Sequence, residues 1–348
     1  MRVAMDVAHE RLSEAGVTRV SRALRSALAR RRDVEMLTVG DGSRARHGTL
    51  ARRLLALRQD LLWYPLQGRA AARDVGAQVY HCPGLRAPLL RGGVPTVVTV
   101  HDLNFLVRPE TVSTWNRLYS RATVRRVVSS ADRVIAVSRS TADDLDHLLG
   151  VDGSRVRVVP NGVDDSFLHE PPGALPAAAA EAPYVLFVGT PEPRKNLPRL
   201  VEAVERLRAA GRPERLVIAG GEGWGMTRPR SAGSVVALGR VRDDELRALY
   251  ANALCLVLPS LHEGFGLPAL EAMATECPVV AARSGALPEV CGDAAVMVDP
   301  LSVASIANGI VAAIEDAERL RVAGRARALA HDWTASAARA VAVYRELV

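Results

Sequence analysis

Cysteine, aromatic residues and long apolar runs are all scarce in this 348-residue chain. Its four cysteines (Cys82, Cys255, Cys277 and Cys291) have no C-x-x-C spacing, which disfavours a disulfide scaffold and a zinc site. No run approaches the roughly 20 apolar residues that span a bilayer. The first seven residues are typical of a strand and not of a signal peptide. We therefore expect a cytoplasmic protein with reduced thiols and no metal.

The remaining composition is ordinary, with 49% apolar and 24% charged residues, and the length suits two domains of roughly 170 residues each. The net charge of +7 is concentrated in the first half. Residues 1–170 carry 26 Lys/Arg against 18 Asp/Glu, whereas the remainder carries 19 against 20. We do not expect nucleic acid as a partner, because no known nucleic-acid module accompanies this charge.

The basic excess is concentrated in residues 44–73, where Asp60 is the only acidic residue. The arginines of this segment are Arg44, Arg46, Arg52, Arg53, Arg58, Arg69 and Arg73, and the large apolar residues among them include Leu54, Leu55, Leu57, Leu61, Leu62, Trp63 and Tyr64. Such a segment, with aromatic residues suited to an interface, can dock on an anionic membrane surface at the inner face of the cell membrane. The alternative is a half-buried surface helix with solvated arginines.

Short β-branched runs alternate with amphipathic stretches, which predicts α/β layers around parallel sheets. The predicted strands cover 2–7, 34–39, 78–81, 96–100, 133–137 and 156–159, then 184–188, 216–219, 234–237, 255–258, 279–281 and 295–298. Helices are expected at 18–29, 114–128 and 140–149, the last with a capping arrangement of Ser140 and Asp143.

Turn residues and a Pro/Ala-rich stretch separate the two strand series. We therefore expect a first domain at 1–170, a linker at 171–182 and a second domain at 183–330. A final helix within 331–348 would cross back to the first domain. In doubly wound domains ligands bind at the carboxyl ends of the strands.

The segment from 259 to 271 carries the most chemistry, because Glu263 and Glu271 bracket Gly264-Phe265-Gly266. The flanking patterns predict Glu263 in a strand-end loop and Glu271 in the first turns of a helix. The helix N-terminus between them, with its free N–H groups, suits a phosphate flanked by sugar hydroxyls. The alternatives are a simple helix-dipole partner and a two-carboxylate glycosidase site.

Arg194 and Lys195 follow another predicted strand and immediately precede a helix. A guanidinium fork and an ammonium point charge are both good phosphate ligands. Positive charge at a helix N-terminus is unfavourable without an anion to offset it, and this favours a phosphate site over a solvated pair.

Three weaker signals lie at other strand ends. His101 closes the strand at 96–100, where a structural histidine is the common case, but its expected place in the cleft favours a functional one. Gly16 opens the first helix and could form an anion-binding loop. The glycine-rich residues 220–225 lack the spacing of a dinucleotide fingerprint and are expected to form a plain loop.

Together these motifs resemble the retaining GT-B glycosyltransferases of family 4, which carry a Glu-x7-Glu motif. The resemblance covers nearly the whole chain and rests on an ordered set: Gly16, HDLNF at 101–105, AVS at 136–138, PNGV at 160–163, VGTPEPRKN at 188–196 and the block 263–271. It implies the GT-B fold, two Rossmann-like doubly wound domains facing each other across a cleft. HDLNF and VGTPEPRKN are most similar to the bacterial mannosyltransferase branch, which acts on polysaccharide or glycolipid acceptors.

The resemblance implies roles for the charged residues of the donor site. Arg194 and Lys195 would neutralise the donor diphosphate, and Gly16 would let the N-terminal loop approach it. Glu271 would accept hydrogen bonds from the ribose hydroxyls. Many relatives have Gly-Arg where this chain has Gly189-Thr190, which leaves more of the charge to Arg194 and Lys195.

The resemblance also implies contacts to the sugar and the base. Glu263 would hold the transferred sugar together with the backbone of Gly264, Phe265, Gly266 and Leu267. His101 would contact the sugar or the acceptor near the reaction centre. Val241 and Asp243 correspond to positions where relatives hold the base, and an acidic acceptor there would suit guanine.

We therefore expect a retaining, metal-independent hexosyltransferase without a cofactor. It would move mannose from GDP-mannose to a glycan or lipid-linked acceptor during polysaccharide or glycolipid synthesis. The alternatives are a UDP-sugar-dependent transferase, a nucleotide-sugar epimerase or hydrolase on the same fold, and a non-catalytic protein that has kept the fold.

Overall fold

The computed structural model of the chain describes residues 1–11, 16–40, 49–111, 114–221 and 234–348. The chain divides into two compact units. Unit 1 consists of Met1–Gly162 together with Trp333–Val348, and unit 2 of Val163–Asp332. The predicted positions of Arg44, Arg46 and residues 222–225 lie outside the described residues, as do the side chains of Arg52 and Arg53.

Unit 1 is built on a six-stranded parallel sheet in the order β2-β1-β3-β4-β5-β6. Its strands are β1 (Arg2–Asp6), β2 (Glu35–Val39), β3 (Val79–Cys82), β4 (Thr96–Val100), β5 (Arg133–Ala136) and β6 (Val156–Val158). The central strands β3 and β4 are buried along their whole length, as expected where helices cover both faces of a parallel sheet. The strand order reverses between β1 and β3, so a ligand is expected at the carboxyl ends of these two strands.

The helices of unit 1 are α1 (Gly16–Ala29), α2 (Thr49–Arg58), α3 (Gly68–Asp74), α4 (Asn104–Val107), α5 (Thr114–Ser130), α6 (Arg139–Leu149) and, from the end of the chain, α15 (Trp333–Arg345). Helix α15 packs on α1, and its Tyr344 hydroxyl is hydrogen-bonded to His81 Nδ1 over 2.7 Å inside the unit. The C-terminal helix is therefore part of the core of this unit.

Helices α2 and α3 are joined by a wider π-helical segment, Gln59–Gln67, which contains Pro65. Proline cannot donate an α-helical hydrogen bond, and such a widening accommodates it. Tyr64 is buried, and Trp63 Nε1 donates to Asp6 Oδ2 over 2.8 Å. The prediction that these two aromatic residues face a membrane interface is therefore wrong, because both rings point into the protein.

Unit 2 has a second six-stranded parallel sheet, in the order β12-β11-β10-β7-β8-β9. Its strands are β7 (Tyr184–Val188), β8 (Arg215–Ala219), β9 (Val235–Gly239), β10 (Cys255–Leu258), β11 (Val279–Ala282) and β12 (Val296–Val298). This is the strand order of the dinucleotide-binding Rossmann fold, and its switch point lies between β7 and β10.

The helices of unit 2 are α7 (Asp165–His169), α8 (Ala177–Ala180), α9 (Leu197–Ala209), α10 (Asp243–Asn252), α11 (Leu267–Ala274), α12 (Leu287–Cys291), α13 (Val303–Glu315) and α14 (Ala317–Leu329). Leu197, Leu200 and Leu207 of α9 are buried, and α9 packs against α13 over the core of the sheet.

The structure confirms every predicted strand, with ends displaced by at most two residues, and the α/β class with two parallel sheets. The predicted cap of α6 is wrong, because the N-cap is Ser138, whose hydroxyl accepts the Thr141 N–H, and not Ser140. The units divide at residue 162, earlier than the predicted domain end at 170. The predicted linker holds α8, and Gly173 donates its N–H to the Asp244 carbonyl within unit 2.

Candidate active site

The candidate site of unit 2 is formed where the chain leaves β7 and β10, the two strands at the switch point of the sheet. A short 3-10 turn, Pro193–Lys195, follows β7 and leads into α9. Leu261 N donates to the Arg194 carbonyl over 2.8 Å, which ties the two strand-end loops together. The loop after β10 carries Glu263, and α11 carries Glu271, as the flanking patterns predicted.

Four charged side chains meet between these loops. Lys195 Nζ lies 2.6 Å from Glu263 Oε1, and Arg194 Nη1 lies 2.8 Å from Glu263 Oε2. Arg194 Nη2 also lies 3.5 Å from Glu192 Oε2. The formal charges of the four groups cancel. Glu263 and Glu192 therefore offset the charge of the two cations within the chain.

The ion pairs hold Glu263 ionised despite its burial, with only 7% of the residue exposed. Burial by itself would raise the pKa of this carboxyl. Attraction by Arg194 and then by Lys195 outweighs burial and lowers the pKa of Glu263 to about 2. The site is therefore a partly desolvated arrangement of fixed charges, and electrostatic interactions are stronger there than at an open surface.

Backbone geometry fixes the position of this cluster. Asn196 adopts the left-handed conformation between the turn and α9, and its side chain donates to the Pro259 carbonyl. Gly285, also left-handed, packs so closely on the Glu263 backbone that a Cβ atom would lie 2.4 Å from its carbonyl oxygen. The Ala286 N–H donates to that oxygen over 2.9 Å. Only glycine fits at position 285, and the contact holds Glu263 facing the two cations.

Glu271 lies on α11 with 3% of its surface exposed. The Tyr250 hydroxyl on α10 donates to Glu271 Oε2 over 3.0 Å. Because α10 and α11 pack together, this hydrogen bond fixes the orientation of the carboxylate.

The segment between the two glutamates turns sharply into α11. Gly266 is left-handed at φ +100° and packs on Leu287, so a side chain would not fit there. Phe265 is buried, with its ring 6.3 Å from that of His331, so only its backbone is a candidate for ligand contact. Gly264 is buried and Leu267 is half-buried.

The two residues expected near the base follow β9. Val241 is half-buried and Asp243 is an exposed residue at the start of α10. The structure places them at a strand end of the same sheet, but no described side-chain contact links either of them to Glu263, Arg194 or Lys195.

Unit 1 carries the other predicted residues at the carboxyl ends of its own strands. His101 Nε2 donates to the Pro83 carbonyl over 2.9 Å, which leaves Nδ1 as the hydrogen-bond acceptor of the neutral ring. Burial lowers the pKa of His101, against the opposing effects of the Pro83 hydrogen bond and Asp102. Gly16 is the exposed first residue of α1, with open space around the position of a Cβ atom.

Sequence reasoning missed His9, which follows β1 at the switch point of this sheet. Its Nε2 atom is buried and has no hydrogen-bond partner among the described residues. Burial lowers the pKa of His9 to about 4, with Glu10 acting in the opposite direction and His101 reinforcing the effect. A histidine three residues beyond the end of the first strand is the signal that could have identified it.

A second missed signal concerns Lys195, which is the only lysine among the 45 Lys/Arg residues of the chain. All the others are arginines, so the single lysine stands out as a compact ammonium group at this one position. Glu192 and Tyr250 were also missed, because nothing in the sequence indicates that Glu192 contacts Arg194 or that Tyr250 contacts Glu271.

Among the described residues, no helix is long and apolar enough to cross a bilayer. Within the same part of the chain, no group of three or more His, Cys, Asp or Glu side chains is arranged to hold a metal ion.

Comparisons with known proteins show the family of the chain. A family model described as Glycosyl transferases group 1 matches residues 182–316, and one described as Glycosyltransferase Family 4 matches residues 15–167. O-antigen chain mannosyltransferase B from Escherichia coli is 30% identical over 88% of this chain and 85% of that protein. An MMP alpha-(1->4)-mannosyltransferase from Mycolicibacterium hassiacum is 32% identical over 64% of this chain and 56% of its own length.

Solved structures share the fold at lower identity. A sucrose-phosphate synthase from Thermosynechococcus elongatus is 23% identical with a TM-score of 0.74, covering 100% of this chain and 99% of that one. An Anabaena protein in complex with UDP-glucose is 18% identical with a TM-score of 0.66, covering 100% of this chain and 98% of that one.

Proposed function

Because the chain belongs to the family 4 glycosyltransferases and is therefore an enzyme of that class, we propose that it transfers mannose from GDP-mannose to a glycan or lipid-linked acceptor with retention of configuration. The observation that carries the proposal is the Arg194–Glu263–Lys195 cluster at the switch point of a Rossmann-type sheet. The mannosyltransferase names of two relatives support mannose as the sugar.

The donor diphosphate binds to Arg194 and Lys195 and takes the place of the Glu263 carboxylate. Two fixed cations stabilise the negative charge that develops on the departing diphosphate, which is the largest plausible contribution to such a reaction. We propose that this positive charge makes a metal ion and a cofactor unnecessary. The helix N-terminus formed by Gly264 to Leu267 adds N–H donors toward the same group.

The displaced Glu263 carboxylate is then free to accept hydrogen bonds from hydroxyls of the transferred sugar. Glu271, oriented by Tyr250, accepts the ribose hydroxyls. Asp243 accepts from guanine, with Val241 beside it. Discrimination through such polar groups is strong, because a ligand that leaves them unpaired binds poorly.

In the transfer step the bond between the mannose anomeric carbon and the diphosphate oxygen breaks through an oxocarbenium-like state. The acceptor hydroxyl forms the new bond on the same face, and its proton goes to the departing phosphate oxygen. The His101 ring, neutral with Nδ1 as acceptor, contacts the sugar or acceptor near this centre. For Gly16, which has open space around the position of a Cβ atom, we keep the proposal that its loop approaches the donor phosphate. The reaction takes place on the cytoplasmic side.

The test is an assay of GDP-mannose against UDP-glucose and UDP-galactose, with a bacterial glycolipid fraction as acceptor and EDTA present. The expected result is transfer from GDP-mannose with an α-linked product by NMR. If the enzyme preferred a UDP-sugar, that sugar nucleotide would take the place of GDP-mannose in this proposal. A UDP-sugar donor is the second candidate because one structural neighbour was solved in complex with UDP-glucose. Free sugar or an epimer formed at full rate without acceptor would overturn the transferase assignment.

A further inference from the structure

Unit 1 exposes a row of leucines along the helical run that covers α2, the π-helical segment and α3. Leu61 and Leu66 are 58% and 63% exposed. The exposed leucines of the run are Leu54, Leu57, Leu61, Leu62 and Leu66. Successive members of this row are mostly three to five residues apart, and this spacing keeps them on one side of the helical run. The result is a continuous apolar ridge in contact with water.

The opposite side of the run is firmly attached to the protein. Gln59, Asp60, Tyr64, Gly68 and Ala72 are buried at intervals of about four residues. The Gln59 side chain donates to the Ala8 carbonyl over 2.9 Å, and Arg86 Nε lies 2.7 Å from Asp60 Oδ1. The leucine ridge is therefore held outward by an anchored inner face.

A groove of about 190 Å³ adjoins the end of this ridge. Its apolar walls include Leu66, Leu90 and Val94, and its cationic residues are Arg69 and Arg73. Leu90 is 70% exposed, so the groove extends the apolar surface beyond the helical run.

Arg69 is half-buried in this groove and forms no ion pair with a described carboxylate. Its guanidinium donates to the Thr96 hydroxyl from two nitrogens and to the Leu90 carbonyl from the third. These neutral acceptors use three of its five N–H groups, so donors remain for an anion. Arg73 contacts Asp74 only at 3.4 Å, with both side chains about 70% exposed, where an ion pair is weak.

We propose that this face of unit 1 docks on an anionic lipid surface, with the leucine ridge in the headgroup boundary and Arg69 and Arg73 on lipid phosphates. An apolar row ending at cations without buried acidic partners is complementary to acyl chains beneath a layer of negative headgroups. A protein partner would bury leucines but does not explain the half-buried guanidinium. The surface belongs to unit 1 and the donor residues belong to unit 2, so the proposal does not depend on which sugar is transferred.

The experiment is co-sedimentation of the full chain with vesicles of phosphatidylglycerol and phosphatidylcholine, and with vesicles of phosphatidylcholine alone. We expect at least tenfold stronger partitioning to the anionic vesicles at 0.1 M salt and a marked loss at 0.5 M salt. Equal binding to both vesicle types, or none to either, would overturn the proposal.

Two pairs of substitutions separate the apolar and cationic contributions. Leu62→Ser with Leu66→Ser should lower partitioning at least tenfold, and Leu301→Ser with Leu329→Ser, exposed leucines of unit 2, should not change it. Arg58 is the exposed last residue of α2, between Leu54 and Leu61 of the ridge, and Arg58→Gln with Arg73→Gln should lower partitioning about fivefold for each charge removed. Arg206→Gln with Arg321→Gln, exposed arginines of unit 2, is the matched control.

Arg69→Gln is more informative but alters hydrogen bonds within unit 1, so its fold is checked by circular dichroism. If it unfolds, the Arg58/Arg73 pair decides the question. Full competition by soluble glycerol phosphate at millimolar concentration would indicate a site for a free anion and overturn the lipid assignment. Self-association abolished by the two leucine substitutions would assign the ridge to a second copy of the chain instead.

Discussion

Lys195 Nζ and Glu263 Oε1 are 2.6 Å apart, so a cation proposed to hold the donor diphosphate is already paired with a carboxylate of the protein. A diphosphate that binds here exchanges one anion for another. Under the proposed function, the exchange would release Glu263 beside the donor, where it could accept hydrogen bonds from the sugar hydroxyls. Donor binding and sugar positioning would then be coupled through the ion pairs of Glu263.

Replacing Glu263 with glutamine tests this exchange. The substitution leaves two largely buried cations without their carboxylate, and we expect it to lower the free energy of unfolding by about 3 kcal/mol. A nucleotide diphosphate should restore more stability to this variant than to the wild type, because it supplies the missing charge. Urea unfolding with and without GDP measures both effects. Wild-type stability together with an unchanged GDP effect would contradict the exchange.

Replacing Lys195 or Arg194 with alanine should weaken binding of a nucleoside diphosphate by about 2 kcal/mol, roughly 30-fold, through loss of a charge-assisted contact. Isothermal titration calorimetry with GDP measures the change. Arg206→Ala, on the exposed face of α9, is the control and should bind as the wild type does. Unchanged GDP affinity in both site variants would remove these cations from the donor site.

Replacing Tyr250 with phenylalanine removes the hydroxyl that orients Glu271. We expect a loss of about 1 kcal/mol in stability and a several-fold rise in KM for the donor, with kcat nearly unchanged. Tyr184→Phe is a matched control, because the Tyr184 hydroxyl is also buried and donates to the Leu249 carbonyl in the same unit. If both variants raised KM equally, the effect would be one of packing and not of Glu271.

Acid should destabilise unit 1 in a defined pH window. Burial lowers the pKa of His81 to about 3 and, as the largest effect, that of His9 to about 4. Above pH 6.5 both rings are neutral in the folded and unfolded chain, so they have no effect on stability. Below it the unfolded chain binds protons that the folded unit excludes, and stability falls by up to about 1.4 kcal/mol per pH unit for each ring.

His9→Gln should remove the contribution of one ring to this slope between pH 6.5 and 4, about 1.4 kcal/mol per pH unit. The free energy of unfolding is measured from urea midpoints at several pH values. His147→Gln, on the exposed side of α6, is the matched control. Glu263 acts in a lower window, since its contribution is complete above pH 4.5 and is lost as the pH falls toward 2. A His9→Gln profile parallel to that of the wild type would contradict the assignment.

The fold was largely predictable because the central strands of both sheets are buried on two faces and appear as short, mostly apolar runs. Thr96–Val100 and Cys255–Leu258 are examples, each buried along its whole length. The helical run from 49 to 74 was harder to interpret, because its two faces depend on π-helical geometry at Pro65. The rings of Trp63 and Tyr64 point into the protein, although the composition of the segment suggested that they face an interface.

The residues of the candidate site could be predicted from the sequence, but the contacts between their side chains could not. Strand-end positions identified Arg194, Lys195, Glu263 and Glu271 from spacing and charge. The sequence could not indicate that Glu263 contacts both cations, because that contact depends on the Gly285 backbone packed behind it. The partner of Glu271 was equally hidden, since Tyr250 lies on another helix.

The single lysine has a practical consequence for observing the reaction. Protein grown with isotope-labelled lysine would contain one ε-ammonium group, at the candidate donor site. The chemical shift of this group would differ between the enzyme without donor, where it contacts the Glu263 carboxylate, and the donor complex, where it would contact a phosphate. Each stage of turnover could be followed at one atom, without a probe or an engineered residue.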